Sequence, residues 1–258
     1  MARDTIRKTF TVAFALCVVC SVLVSAAAVS LRPAQETNKL LDKKKNILTA
    51  AGLLGSEGGD IEALFGQVEA RMIDIDSGKY LDGDPGQFDL KKASRDPVLS
   101  VAVADDRGAG IKRRSRQMPV YLVKKASGKV DKVILPVFGM GLWSTLWGFI
   151  SLDRDDLNTI RGLVFYEHGE TPGLGGEVDN PAWKALWKGK QAFGLDGDVQ
   201  ISVVRGRVDP AAEGSEYQVD GLSGATITSR GVQNMLRYWL SDNAYGAYLN
   251  SLRQEGAA

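Results

Sequence analysis

Val130-Asp131-Lys132-Val133-Ile134-Leu135-Pro136-Val137, then Trp147-Gly148-Phe149-Ile150-Ser151-Leu152, then Ile160-Arg161-Gly162-Leu163-Val164-Phe165-Tyr166 decide the fold. Each run is short, dense in β-branched and aromatic residues, and bounded by Gly, Asp or Asn, which is how strands joined by turns read. Residues 120–124 precede them in the same style, and Val199, Ile201 and Val203 alternate strictly across 199–204. After these runs the period lengthens. Val232, Met235, Leu236, Trp239 and Leu240 recur at i, i+3, i+4, i+7 and i+8, one face of a helix. Ser241-Asp242-Asn243 breaks that helix and caps a second one carrying Tyr245, Tyr248, Leu249 and Leu252. Asn180-Pro181 is an N-cap followed by proline at the first helical position, with Trp183, Leu186 and Trp187 on one face. The expected class is α+β: a twisted, mainly antiparallel sheet with helices packed against it.

Upstream, residues 9–31 contain no charge and are mostly Val, Ala, Leu, Phe and Cys. A helix of that length spans about 35 Å, enough to cross a hydrocarbon core of roughly 30 Å. A cleaved signal peptide competes with this reading, because a basic start precedes the run and Ser25-Ala26-Ala27-Ala28 resembles a cleavage site. The run exceeds the usual 7–15-residue signal core, which favours a retained anchor. Arg3, Arg7 and Lys8 stand before it and Arg32, Lys39, Lys43, Lys44 and Lys45 after it. Taken literally that balance leaves the following domain in the cytoplasm, but long domains translocate regardless of flanking charge. Cys17 and Cys20 read either as a redox dithiol or as small residues on a helix-packing face. Residues 37–54 are expected to form a juxtamembrane helix ending near Gly52, and residues 60–68 a short helix. Residues 80–95 are expected to be an exposed loop, and 105–116, with Lys112-Arg113-Arg114, a solvated one.

The whole chain has 258 residues and a net charge of +1, so it has no electrostatic footprint for nucleic acid. One histidine, with both cysteines confined to the apolar segment, rules out a four-ligand zinc site in the soluble part. No catalytic residue or metal ligand is expected.

Three glycine-rich segments carry what chemistry there is. Asp220-Gly221-Leu222-Ser223-Gly224-Ala225-Thr226-Ile227-Thr228-Ser229 is a small-residue turn leading into a helix expected near Ser229. A helix N-terminus offers unpaired N–H groups to a phosphate, while Thr228 or Ser229 as an ordinary cap explains the same residues. Glu167-His168-Gly169-Glu170-Thr171-Pro172-Gly173-Leu174-Gly175-Gly176-Glu177 follows a strand and suits a loop pressed against something flat. Gly139-Met140-Gly141-Leu142-Trp143-Ser144-Thr145 only superficially matches a dinucleotide fingerprint, since Ser144 replaces its third glycine and no βαβ unit follows. His168 is expected to serve structure or surface rather than proton transfer. Glu167, Glu170 and Glu177 are expected to order the loop.

Asp-x-x-Ser-Gly-Ala-Thr at 220–226 resembles the flavinylation motif of bacterial flavoproteins, in which a flavin transferase joins FMN through its phosphate to the last threonine. The likeness continues through Leu142-Trp143-Ser144-Thr145, through the run from Glu170 to Val178, and through Leu40-Leu41 to Leu53. Over most of its length the chain is similar to the C-subunit family of sodium-translocating NADH:quinone oxidoreductases. The resemblance implies covalent FMN on Thr226, with Ser223, Gly224, Ala225 and Thr228 around the linkage. It implies that Trp143, Ser144, Thr145, Glu170, Thr171, Leu174 and Gly175 line the flavin. The implied division is a cytoplasmic N-terminus at 1–8, a transmembrane helix at 9–31, a juxtamembrane helical segment at 32–68 and a periplasmic FMN-binding domain at 69–258. The implied setting is the bacterial inner membrane, with membrane lipid, other membrane subunits and the flavin transferase as partners. The implied role is electron relay, with no complete active site on this chain. A ferredoxin-dependent electron-transport complex shares the Ser-Gly-Ala-Thr and Glu-Thr-Pro-Gly-Leu-Gly motifs, and a tethered binding module without redox function is the alternative from another class.

Overall fold

The computed structural model describes residues 6–54 and 59–257. Arg3 and the rest of 1–5 lie outside the described residues, as do 55–58 within the expected juxtamembrane segment. Contacts divide the chain into two units, Met1–Lys43 and Lys44–Ala258.

In the first unit α1 (Ile6–Ala50) carries the apolar run without interruption, and none of that run is buried by protein. It is the helix among the described residues long and apolar enough to cross a membrane. Pro33 lies inside it, and Thr37 Oγ1 donates to the Pro33 carbonyl at 3.1 Å. Cys17 and Cys20 are free thiols on its exposed surface.

The second unit starts with the end of α1, where Ile47, Leu48 and Ala50 are buried. Next come α2 (Ile61–Phe65), β1 (Val68–Asp74), β2 (Tyr80–Leu81), α3 (Leu90–Arg95), β3 (Ser100–Ala102) and β4 (Arg113–Ser115). The central strands are β5 (Gln117–Lys124), β6 (Val130–Met140), β7 (Thr145–Asp153) and β8 (Ile160–Glu167). They are followed by α4 (Pro181–Ala185), β9 (Ser202–Val203), β10 (Gln218–Val219), α5 (Thr226–Trp239) and α6 (Gly246–Ala257).

Six strands form one antiparallel sheet in the order β2-β1-β5-β6-β7-β8. The opening stretch forms its centre, with Leu135 opposite Ile150 and Ile150 opposite Leu163. Both faces are covered, which explains why these strands are apolar throughout rather than alternating. On one face Trp239, Tyr245, Tyr248 and Phe138 belong to the larger core. Trp239 Nε1 donates to the Phe138 carbonyl at 2.6 Å and the Tyr245 hydroxyl to the Pro136 carbonyl at 2.8 Å, so the aromatic tips are satisfied as the rings are buried. On the other face Ile47, Ala50 and Ala51 pack with Tyr121, Ile134, Phe149 and Val164. The α+β class is as expected.

Several local expectations are corrected. The helix expected at 60–68 ends at Phe65, capped by the Asp60 carboxylate, and Val68 already opens β1. Of 199–204, only Ser202–Val203 is strand, paired in parallel with β10, because Val199 bridges to Phe193 instead. The loop expected at 80–95 holds β2 and α3, whose N-terminus the Asp89 carboxylate caps. In the stretch 105–116, Ala109 and Ile111 are core residues. Arg113 donates to Ser100 Oγ and to the Pro97 and Ser100 carbonyls, and Arg114 pairs with Asp76, so Lys112 alone of the cluster is exposed. Two of the three basic side chains therefore hold neighbouring segments together instead of being solvated.

Candidate functional site

Glu170 brings the three glycine-rich segments to one place. Its Oε1 accepts from Trp143 N at 2.9 Å and Ser144 N at 3.1 Å, and its Oε2 accepts from Leu142 N at 3.2 Å and Thr228 Oγ1 at 2.6 Å. One carboxylate in the loop after β8 thus binds the β6–β7 turn and the first turn of α5. Room for it comes from missing side chains. A Cβ on Gly141 would stand 2.6 Å from Oε1, and one on Gly175 2.6 Å from Oε2. A Cβ on Gly231 would collide with the Met140 carbonyl, so α5 sits directly against the turn. Burial works against the Glu170 charge, but the Thr228 hydroxyl and the three backbone N–H groups outweigh it and hold the carboxyl below its ordinary range.

The rest of the loop follows from this anchor. Ser144 Oγ accepts from Gly169 N at 2.6 Å. His168 Nδ1 accepts from Glu170 N, which leaves the proton on Nε2 to bond Asp179 Oδ2 at 2.8 Å. The imidazole is therefore engaged in ordering the loop, as expected. The Thr171 carbonyl accepts from Leu174 N and Gly176 N, and the helical turn Gly175–Asp179 leads to α4, where Asn180 caps and Pro181 opens the helix. Trp183 Nε1 donates to the Asp220 carbonyl at 2.9 Å, fixing the start of the Thr226 segment.

Thr226 is the first residue of α5, three positions earlier than the sequence suggested. Neither expected cap operates. Thr228 is buried on Glu170, Ser229 Oγ accepts from Leu222 N at 2.9 Å, and the N-cap is Ala225, which supplies no side-chain bond. The plain-cap reading is therefore overturned: among the described residues no side chain caps this 14-residue helix, and its first two residues, Thr226 and Ile227, are exposed, so their N–H groups can meet an external acceptor. Gly224 adopts φ +71°, a left-handed turn that leaves the Thr226 side chain exposed. Ser223 is exposed and Ala225 buried.

Two surfaces flank Thr226. Leu142, Trp143, Leu174 and Ile227 are apolar yet 42%, 67%, 45% and 57% exposed. Leu174 and the Thr226 turn are neighbours, since a Cβ on Gly224 would lie 3.0 Å from Leu174 Cδ2. The other surface is a cavity of about 270 Å³ whose lining includes Val203, Arg205, Gly206, Thr226 and Arg230. Apolar side chains beside a helix end with no side-chain cap, and two arginines among the residues lining the cavity, suit a flat ring bearing a phosphate. A larger cleft of about 360 Å³ is lined by Asp196, Glu213 and Glu216, the wrong sign for a phosphate, and holds no residue of the three segments.

Of the twelve residues named from the sequence, Ser144, Glu170 and Thr228 are joined by hydrogen bonds, and Trp143 joins them through its backbone. Gly175 packs on Glu170 and Thr228. Ser223, Gly224, Ala225 and Thr226 form the adjoining turn, with Leu174 beside Gly224. Thr145 opens β7 and Thr171 lies in the loop, and among the described residues neither hydroxyl joins the Glu170 network. Sequence reasoning missed Arg205 and Arg230, which no local pattern connects. It also passed over Ile227, whose exposure beside Thr226 departs from the buried helical stripe.

A fold and site of this kind define a flavin-binding domain, and the FMN-binding domain family matches residues 141–241, from the β6–β7 turn to the end of α5. Over 257 residues, and 98% of each chain, the protein is 49% identical to the C subunit of the Na(+)-translocating NADH-quinone reductase of Pseudomonas aeruginosa. It is 45% identical to the same subunit of Yersinia pestis over 258 residues, 98% of this chain and 95% of that one. The crystal structure of Shewanella oneidensis NqrC superposes with a TM-score of 0.78 at 35% identity, covering 84% of this chain and 99% of that one. The chain belongs to the NqrC family, the C subunits of Na(+)-translocating NADH-quinone reductases.

Proposed function

We propose that this chain is the electron-carrying flavoprotein subunit of a sodium-translocating NADH:quinone reductase, holding one FMN joined through its phosphate to Thr226 Oγ1. The observation that carries the reading is an exposed threonine hydroxyl at the uncapped N-terminus of α5, between an arginine-lined cavity and an exposed apolar surface. When attached, FMN supplies reversible electron transfer, which no side chain of this unit offers. The protein's own part is to hold it. The open N–H groups of α5, with Arg205 and Arg230, attract the phosphodiester. Ser223, Gly224, Ala225 and Thr228 enclose the linkage. Leu142, Trp143, Leu174 and Ile227 would give the ring an apolar seat bordered by Ser144, Thr145, Thr171 and Gly175, while Glu170 would hold the 142–144 turn in place.

The chain acts as one part of an enzyme complex, with oxidation of NADH and reduction of ubiquinone completed by neighbouring membrane subunits. In this reading residues 1–8 are cytoplasmic, 9–31 span the inner membrane among lipid, 32–68 continue as the juxtamembrane segment and 69–258 lie in the periplasm. There a flavin transferase modifies Thr226. The full chain made alongside that transferase is expected to give a fluorescent band after denaturing electrophoresis and a mass increase matching one FMN. Thr226→Val is expected to abolish both. A fluorescent Thr226→Val protein sinks the assignment of the attachment residue, and an unmodified wild-type chain sinks the redox role.

A further inference from the structure

Glu170 is only 5% exposed, and every partner of its carboxylate is a neutral donor: three backbone N–H groups, the Thr228 hydroxyl and, at 3.5 Å, the Ser144 hydroxyl. Among the described residues no Lys, Arg or His pairs with it. An ionised carboxylate held by dipoles alone keeps its net charge, and in a poorly screened interior that field reaches nearby groups. We infer that Glu170 is a positioning residue for the flavin, which locks the 141–144 turn to the first turn of α5 and whose buried negative charge sets the reduction potential of the group carried there.

The inference rests on the reading of Thr226 as the attachment site. It goes beyond that reading by giving a residue outside the linkage control over the flavin's electronics. The geometry separates the two roles of the carboxylate. A glutamine with its carbonyl at the Oε1 position still accepts from Trp143 N and from the Ser144 N–H and hydroxyl, and its amide donates to Thr228 Oγ1. Only the Leu142 N bond is lost. A purely structural role therefore predicts that glutamine costs one backbone bond in stability and leaves the flavin potential unmoved. Charge is different: flavin gains negative charge on reduction, and a buried anion beside its seat opposes that gain. Carbonyl oxygens cannot substitute for it.

The test uses the full chain in detergent, made with its flavin transferase, and reads the flavin potential by spectroelectrochemistry alongside intact mass. Glu170→Gln is expected to remain flavinylated and to shift the potential upward, with about a tenfold change in the one-electron equilibrium, equivalent to about 59 mV. Glu170→Asp, which keeps the charge, is expected to stay near the wild-type value. Thr228→Val keeps the charge but strips one donor from it, so its potential is expected to fall, and it serves as the readout where Glu170→Gln takes up no FMN. Flavinylated Glu170→Gln at the wild-type potential overturns this inference alone, as does an unchanged Thr228→Val. Wild-type protein whose mass shows no FMN on Thr226 overturns the underlying reading and this inference together.

Discussion

At Gly175 a Cβ would stand 2.6 Å from Glu170 Oε2 and 2.7 Å from Thr228 Oγ1, two atoms bonded to each other. Gly175→Ala must therefore part the hydrogen bond that ties the loop to α5. The expected cost is about 1–3 kcal/mol, read as a lower urea midpoint of the flavin-free chain with an unchanged slope. A midpoint matching wild type means that the loop yields and that the close contact has no energetic weight. The sequence showed these residues as glycine-rich punctuation. It did not show which glycine made room for which group, because the clearance depends on a carboxylate from one segment and a hydroxyl 58 positions later. Thr228 makes the same point. By type it reads as a cap, but a buried acceptor took its hydroxyl, and the helix opened two residues earlier.

As an element, α5 has two ends with different tasks. Its later turns bury Val232, Met235, Leu236 and Trp239 against the sheet, as the 3.6-residue period required. Its first turn exposes Thr226 and Ile227. The Thr228–Glu170 and Leu222–Ser229 bonds hold that first turn without an N-cap side chain, which leaves the N–H groups of Thr226 and Ile227 for another acceptor. Trp239→Ala removes a fully buried indole and leaves the Phe138 carbonyl without its donor. A loss of about 3–5 kcal/mol is expected by urea denaturation. Flavin attachment should fall with it, because the segment presenting Thr226 loses its anchor. Full flavinylation in a destabilised Trp239→Ala chain argues that the transferase reads the Thr226 segment without the fold behind it. The β1 strand was not legible in the sequence, since Val68 to Asp74 includes three charged residues. Its strand character comes from seven register positions against β5.

For the molecule as a whole, acid is the informative variable. The folded pKa of Glu170 lies below its ordinary 4.5, and that of Asp74, which accepts from the Ser77 hydroxyl and N–H, lies below 3.8. A depressed carboxyl contributes stability that is present above its unfolded pKa and lost as pH falls through the folded one. The urea midpoint should therefore hold above about pH 5 and drop below about pH 4.5, with a shallower drop in Glu170→Gln. An identical acid profile in that variant removes Glu170 from the stability account. From its own pattern the sequence determined the apolar helix, the central antiparallel strands, the buried face of α5 and the hydroxyl-rich turn at Thr226, because hydrophobic periodicity and turn chemistry are local properties. Only the tertiary structure decided that Glu170 joins three distant segments, that Arg205 and Arg230 share a cavity, and that Arg113 and Arg114 are engaged with Ser100, Pro97 and Asp76. Those depend on which buried donor meets which acceptor, and that pairing is settled by packing between residues far apart in the chain.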